Sequence, residues 1–205
     1  RWGQGRLGVL ISRIDDLYRE DHAYLEPGDH CLYLREYSPG QGYRHSETNR
    51  LILDFKMSPL LRGDGRWRYK ERAIDHLAGE LEGALAGGWL SFSTLVPIPP
   101  SKARNHEAYD DRMLRLLRAM EQGRGWDIRD LLVPTASTEA VHASASRLRP
   151  REIAQLYQID ESLAVPVPKG IGLFDDMLTS GAHFKAAQEV LERRFPGVLV
   201  IGVGS

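Results

Sequence analysis

Two adjacent carboxylates and a small polar turn lie close together in the sequence. Asp175 and Asp176 follow an apolar run, and Thr179, Ser180 and Gly181 come two residues later. The apolar run predicts a buried strand that the turn connects to a helix. Ligands of open α/β sheets bind beyond the carboxyl ends of the strands, and the free amides of a loop entering a helix attract anions. The stretch therefore offers carboxylates for hydroxyls or a metal and amides for a phosphate.

The acidic pair also has a purely structural interpretation. Acidic residues near a helix N-terminus cap the helix or are favoured by its dipole. The same Asp-Asp dipeptide occurs at residues 15–16 and 110–111, where the surrounding patterns are helical and indicate solvated faces. Only the pair at 175–176 lies between an apolar run and a glycine-containing turn, so we favour a binding site there.

A proline-stiffened turn is the second candidate for anion binding. A predicted strand over residues 92–98 leads into prolines, and Ser101, Lys102 and Arg104 follow just before a predicted helix. Such a turn presents amides, a hydroxyl and two cations to an anion. The alternative is a plain proline-rich connection with solvated cations.

A small, polar and basic loop over residues 143–151 is the third feature. One interpretation is a lid that closes over a bound anion and excludes water. The other is a basic connection without a function of its own, and the sequence does not choose between them. The histidines show no metal-ligand spacing, and we assign no protein residue as a metal ligand.

The stretch around the acidic pair resembles the phosphoribosyl-pyrophosphate (PRPP) motif of the type I phosphoribosyltransferases. That motif consists of apolar residues, Asp-Asp, two residues and then Thr-Thr/Ser-Gly-x-Thr/Ser. The resemblance implies that Asp175 and Asp176 are catalytic and hold the ribose hydroxyls. The residues implied to bind the 5′-phosphate are Thr179, Ser180, Gly181, Ala182 and His183. His183 is a departure, because the family usually has a hydroxyl residue at that position.

The proline-stiffened turn resembles the pyrophosphate loop of the same family, in particular that of the ComF-like (competence protein F) branch. Val-Pro-Ile-Pro-Pro-Ser stands where that branch has Val-Pro-Val-Pro-x-Ser, but residues 107–111 depart from its following Arg-Gly-aromatic-Asn-Gln. The resemblance implies pyrophosphate contacts from Ser101, Lys102 and Arg104. It also makes the basic loop a flexible loop over the leaving group, with Arg147 as the candidate contact.

The family's reaction transfers phosphoribose from PRPP to a nitrogen acceptor and releases pyrophosphate, with Mg²⁺ bound alongside PRPP. The resemblance implies this activity, with an unidentified base or amine as acceptor. Tyr33, Tyr37, Tyr43 and Phe55 could stack a base, but no acceptor residue is predicted. Two alternatives stay open: a non-catalytic PRPP or nucleotide sensor, and an accessory protein in DNA uptake on the same fold.

Strands that alternate with helices from residue 92 onward predict an α/β fold with a mostly parallel sheet flanked by helices. The resemblance adds a small β-containing hood. We expect residues 1–66 to form an N-terminal helix and the hood-like β segment, and residues 67–205 to form the phosphoribosyltransferase-like core of a single compact domain. Helices are expected at residues 6–20, 69–85, 107–120, 150–157 and 181–194. Strands are expected at residues 30–37, 49–56, 92–98, 127–133, 163–167, 170–174 and 198–203.

The composition narrows the partners and the compartment. The 205-residue chain has a net charge of −1, which gives no support for direct binding of nucleic acid. No apolar run reaches the ~18 residues of a membrane span, and no signal peptide is visible. A single cysteine excludes an intrachain disulfide and fits a reducing compartment. We therefore expect a cytoplasmic protein without a membrane partner, for which a homodimer is a possible assembly.

Overall fold

The computed structural model describes residues 11–15, 18–85, 88–135 and 148–204. The helices in these ranges are α1 (Glu47–Phe55), α2 (Trp67–Ala84), α3 (Arg112–Glu121), α4 (Pro150–Ala154) and α5 (Ala182–Arg194). The strands are β1 (Ser12–Arg13), β2 (His30–Tyr33), β3 (Thr94–Pro97), β4 (Asp127–Ile128), β5 (Leu132–Pro134), β6 (Tyr157–Ile159), β7 (Ile171–Asp175) and β8 (Val200–Gly204).

Six of the described strands form one sheet in the order β1-β2-β8-β7-β3-β4. Every neighbouring pair is parallel except β1 and β2. Strands β5 and β6 form a separate antiparallel pair. The carboxyl ends of β2, β8, β7 and β3 therefore meet at one edge of the sheet, which we call the carboxyl edge. The predicted α/β class with a mostly parallel sheet is confirmed.

Helices cover both faces of the sheet. Leu173 of β7 packs in one hydrophobic cluster with Phe184 of α5. Its neighbour Phe174 packs in a second cluster with Leu77 of α2 and Leu116 of α3. Successive residues of a strand point to opposite faces, so β7 is buried on both sides. This explains why its sequence is an uninterrupted apolar run.

The N-terminal region differs from the prediction. The described part of residues 6–20 contains β1 and the start of a short 3₁₀ turn instead of the expected helix. Ser12 pairs with Tyr33 of β2, and β2 in turn pairs in parallel with β8. Both strands thus extend the main sheet. Strand β1 forms through its pairing with β2, and such pairing is not visible in the local periodicity of residues 6–20.

Residues 49–56 were predicted as a strand, but residues 49–55 belong to helix α1 and Lys56 follows its last residue. The Ser46 hydroxyl accepts a hydrogen bond from the Asn49 amide at 2.9 Å and caps the helix. Ile52 and Phe55, three residues apart, form the buried face. The apolar run that indicated a strand is one side of an amphipathic helix that follows a serine cap.

Two further predicted strands are interrupted. Residues 127–133 contain all of β4 and the first two residues of β5, and these strands belong to different sheets. Arg129 lies between them and donates hydrogen bonds to the carbonyls of Leu163 and Pro166. Residues 163–167 contain the end of a 3₁₀ turn and no strand. Proline lacks the amide that a strand ladder requires, so Pro166 and Pro168 disfavour a strand there.

The remaining predicted elements are present. Helices α2, α4 and α5 and strands β2, β3, β7 and β8 fall within a few residues of their expected bounds, and α3 begins later than expected, at Arg112. Within the described ranges, no helix has the length and apolar character needed to cross a membrane.

Candidate functional site

The acidic pair and the proline-stiffened turn are neighbours at the carboxyl edge. Asp175 is the last residue of β7, and Pro97 is the last residue of the adjacent strand β3. Pro97 pairs in register with Phe174, and the amide of Ile98 donates to the carbonyl of Phe174 at 2.7 Å. The structure thus brings two of the predicted anion-binding segments to adjacent strand ends.

Asp176 is buried, with 8% of its surface exposed, and two cations contact it. Arg112 donates from Nε at 3.0 Å and also from Nη2 to the same carboxylate oxygen. Lys56 Nζ lies 3.2 Å from the other oxygen. Burial opposes ionisation of Asp176, but Arg112 and Lys56 outweigh burial and lower its pKa. Asp176 is therefore an ionised carboxylate within a salt-bridge cluster.

Asp175 is half-buried and has a different environment. Its Oδ1 accepts a hydrogen bond from the backbone amide of Asp176 at 2.8 Å. Burial, followed by the adjacent charge of Asp176, raises the pKa of Asp175 to about 7. Both protonation states are populated near neutral pH. Asp175 is therefore the carboxyl of the pair that can exchange a proton or accept a hydroxyl from a ligand.

The buried cation Lys70 is linked to the acidic pair through Asp110 and Arg112. Lys70 of α2 is fully buried and donates to Asp110 at 2.8 Å, to the carbonyl of Phe55 at 2.7 Å and to that of Met57 at 2.9 Å. Burial lowers its pKa, and Asp110 acts in the opposite direction. Asp110 also pairs with Arg112 at 2.8 Å. The prediction of a solvated Asp110 is wrong, because this carboxylate joins two cations in the interior.

The polar turn after the acidic pair is held by the segment that follows β1. The carbonyl of Thr179 accepts from His22 Nδ1, and the carbonyl of Ser180 accepts from the amide of Tyr24 at 3.0 Å. In a planar trans peptide, the N–H points away from the preceding C=O. The amides of Ser180 and Gly181 consequently point away from His22 and Tyr24. They stand beside the first residues of α5, whose amides have no intrahelical acceptor.

Gly181 has the backbone geometry that the turn needs. Its φ is +78°, in the left-handed region. A Cβ at this position would lie 2.7 Å from Cδ2 of Leu25. Ala182, the next predicted phosphate residue, is buried as the first residue of α5. The turn is therefore shaped by glycine and by close packing against the N-terminal segment.

His183 lies in the first turn of α5 and contacts Tyr157 of β6. Its Nδ1 and the Tyr157 hydroxyl are 2.8 Å apart. Burial lowers the pKa of His183, so the neutral imidazole predominates at neutral pH. Burial and the charge of Asp175 raise the pKa of Tyr157, which keeps its proton. Any contact of His183 with a phosphate would therefore come from a neutral ring.

The predicted pyrophosphate residues have unequal surroundings. Ser101 is exposed and Lys102 half-buried, and both follow β3 at the carboxyl edge. Arg104 is exposed and forms an ion pair with Asp130, which follows β4. Its charge is thus directed to the far side of β3 from the acidic pair. Arg147 lies outside the described residues.

A cleft of about 570 Å³ opens beside the polar turn. Thr179 and Ser180 form one wall, and the segments around β1 and β2 form the other. Three tyrosines line it, at positions 18, 33 and 37. The two other aromatic residues predicted to stack a base do not. Tyr43 donates to Asp54 at 3.1 Å, and Phe55 is fully buried.

Sequence reasoning assigned no site role to three residues, namely Lys56, Lys70 and Arg112. Lys56 follows α1, whereas Lys70 and Arg112 lie in α2 and α3, and Lys56 and Arg112 reach Asp176 across 120 and 64 residues. Local spacing contains no signal for such contacts. The one available indication was Arg112 itself, a cation directly after an acidic dipeptide in a predicted helix.

The described residues contain no group of three or more His, Cys, Asp or Glu side chains that could hold a metal ion. Comparison of the chain with family models gives no match, and comparison with curated proteins gives none either. A functional assignment therefore depends on the chemistry of the carboxyl edge.

Proposed function

We propose that the protein binds PRPP at the carboxyl edge and transfers its phosphoribose to a nitrogen acceptor, with release of pyrophosphate. One observation carries this proposal. A half-buried carboxyl at the end of β7 is followed within six residues by a glycine turn whose amides stand at the N-terminus of α5. Such a carboxyl can accept hydrogen bonds from a ribose diol, and such amides can bind a 5′-phosphate.

The ligand groups follow from this geometry. The amides of Ser180 and Gly181 and the first turn of α5 would hold the 5′-phosphate. Asp175 would accept hydrogen bonds from the ribose hydroxyls. Ser101 and Lys102, on the adjacent strand end, would face the pyrophosphate. Mg²⁺ favours phosphate oxygens and retained waters, and it would come bound to PRPP, where it screens the leaving group's charge.

The protein's contribution to the reaction would be positioning and electrostatic stabilisation. The acceptor nitrogen forms a bond to ribose C1 as the bond from C1 to the pyrophosphate oxygen breaks, and the bonding electrons leave with pyrophosphate. Positive charge develops on the ribose ring in between. The carboxylate of Asp175 would stabilise that charge, whereas the charge of Asp176 is already balanced by Arg112 and Lys56.

The cleft beside the polar turn is the candidate acceptor site. Tyr33 and Tyr37 are among its lining residues, and Thr179 joins it to the proposed phosphate site. Aromatic side chains offer flat faces on which a planar nitrogen heterocycle stacks. The acceptor class that fits is an aromatic base.

A non-catalytic PRPP or nucleotide sensor is the second candidate. The observation that favours it is the salt-bridge cluster around Asp176, which occupies one of the two carboxylates that the PRPP motif supplies. Release of pyrophosphate from PRPP across a panel of bases separates the two functions. A sensor binds PRPP and releases none.

The binding of PRPP is the first prediction. In the presence of Mg²⁺, we expect calorimetry to show one site per chain. Asp175→Asn should weaken the affinity about tenfold, because a charged acceptor of hydroxyl hydrogen bonds is lost. Glu192→Gln, at an exposed position of α5, is the control for loss of one negative charge and should bind like the wild type.

The proposal fails if PRPP gives no binding heat and no rise in the melting temperature of the wild-type protein. Equal affinity of the wild type and Asp175→Asn for PRPP would instead show that Asp175 does not contribute to binding.

A further inference from the structure

Lys56 is a cation at the carboxyl edge that no part of the motif includes. It follows the last residue of α1, and its ammonium lies 3.2 Å from Asp176 Oδ1. A third of its side chain, 33%, is exposed, compared with 17% for Arg112 in the same cluster. Of these two partners of Asp176, Lys56 is the one with more access to solvent and to a ligand.

The backbone around Lys56 is fixed by a second lysine. The fully buried Lys70 donates to the carbonyls of Phe55 and Met57, the residues on either side of Lys56. The side chain of Phe55 is fully buried as well. A charge inside a protein is costly unless it is paired and hydrogen-bonded. Lys70 meets that condition and at the same time sets the position from which Lys56 extends.

The charges of the cluster leave Lys56 available for a ligand. Lys70 pairs with Asp110, and Arg112 donates twice to Asp176, so both buried carboxylates have a cation without Lys56. The remaining acid is Asp175, half-buried and only partly ionised near neutral pH. Lys56 can therefore leave Asp176 and bind an anion, because Asp176 keeps its pairing with Arg112.

The location of Lys56 indicates which anion it meets. Asp176, whose Oδ1 the Lys56 ammonium contacts at 3.2 Å, is the first residue of the connection that leads from β7 through the glycine turn to α5. The ammonium thus lies beside the acidic pair, at the start of this connection. The proposed function puts the 5′-phosphate at the amides of Ser180 and Gly181, on the same connection.

We propose that Lys56 is the cation that binds the 5′-phosphate of the ligand, together with the amides of the glycine turn. The inference rests on the proposed function, because it assigns a further residue to the same site. On binding, the Lys56 ammonium forms a charge-assisted hydrogen bond with the phosphate, and Asp176 keeps its two hydrogen bonds from Arg112.

Calorimetry with three probes tests the assignment. The probes are PRPP, ribose 5-phosphate and inorganic pyrophosphate, each with Mg²⁺. We expect Lys56→Gln to weaken PRPP and ribose 5-phosphate by a similar factor, about tenfold or more. Pyrophosphate should change by less than about twofold, because the proposed function puts it at Ser101 and Lys102. Lys56→Arg should restore most of the affinity for the two sugar phosphates.

Arg50→Gln is the matched control, since Arg50 is an exposed cation on the same helix. It should leave all three affinities unchanged. Circular dichroism and the melting temperature report whether each variant is folded. A loss for pyrophosphate as large as that for ribose 5-phosphate would indicate a disturbed site and overturn the assignment.

The result separates this inference from the proposed function. If the wild type binds PRPP and Lys56→Gln binds it equally well, Lys56 is not a ligand residue and the PRPP site stands. If the wild type binds none of the three probes, the proposed function fails and the assignment of Lys56 fails with it.

Discussion

Asp175 and Asp176 are adjacent residues whose pKa values shift in opposite directions. The difference comes from their partners. Asp176 receives hydrogen bonds from Arg112 and Lys56, whereas Asp175 receives one from a backbone amide and lies against the charge of its neighbour. Asp176 therefore links α1 and α3 to β7, and we propose that Asp175 is the carboxyl that acts on a ligand.

The raised pKa of Asp175 predicts a specific dependence of stability on pH. A carboxyl with a folded pKa of about 7 binds more protons in the folded than in the unfolded state, whose pKa is about 3.8. Stability from this group is thus complete below about pH 4 and is lost as the pH rises to 7. Replacement by Asn removes that loss. Asp175→Asn should melt at a higher temperature than the wild type at pH 8, and the gain should shrink toward pH 5.

Thermal unfolding of both proteins at several pH values measures this difference. Glu192→Gln serves again as the control for removal of one negative charge. A melting-temperature difference between Asp175→Asn and the wild type that stays constant from pH 5 to pH 8 would mean that Asp175 ionises without a penalty in the folded protein.

At this scale the sequence predicted a candidate site at the acidic pair and the glycine turn, but it did not predict the cations that contact Asp110 and Asp176. The acidic pair and the glycine turn are contiguous, so their chemistry could be read directly. Lys56 follows α1, and Lys70 and Arg112 lie in α2 and α3, so only the fold determines that these cations meet Asp110 and Asp176. The sequence could therefore not tell which of the two predicted aspartates is paired with cations.

At the scale of elements, the polar turn depends on a glycine in a left-handed conformation. Gly181→Ala should destabilise the protein by about 1–3 kcal/mol, because alanine at φ +78° is strained and its Cβ would overlap Leu25. Gly79→Ala in α2 is the matched control. Its Cβ would meet no atom within 4 Å, so the higher helix propensity of alanine should stabilise by about 0.5–1 kcal/mol. Denaturant unfolding of both variants checks the two signs.

Equal effects from the two glycine substitutions would contradict the assigned role of Gly181. Since the turn is held by His22 and Tyr24, the Gly181→Ala variant should also show a perturbed N-terminal segment, with faster hydrogen exchange at the amide of Tyr24.

The elements that the sequence predicted are those whose own pattern decides their structure. Helix α2 is a long amphipathic segment, and β7 is apolar because it is buried on both faces. The errors at residues 6–20 and 49–56 have the opposite origin. Strand β1 exists through its pairing with β2, and helix α1 depends on a serine cap that precedes an apolar run of strand-like composition.

At the scale of the whole molecule, labelling of the single cysteine measures whether the sheet opens in the folded protein. Cys31 lies in β2 and is 1% exposed. Burial, together with the nearby charge of Asp29, raises the pKa of its thiol to about 12, so the reactive thiolate is suppressed in the folded state. A thiol reagent should therefore label the native protein only through an opening of the sheet. In denaturant the same thiol should react at once. Rapid labelling of the native protein would show that β2 detaches from β8 without unfolding.

The pairing of β2 with β8 has a consequence for synthesis of the chain. Residues 30–33 and 201–204 are hydrogen-bonded partners although about 170 residues separate them. Contacts of such long sequence separation form slowly, and a ribosome delivers β2 long before its partner. Until β8 emerges, β2 and the segment that holds the glycine turn have no sheet to join. The candidate site is accordingly assembled only after β8 has emerged, and every nascent chain that stops before β8 lacks it.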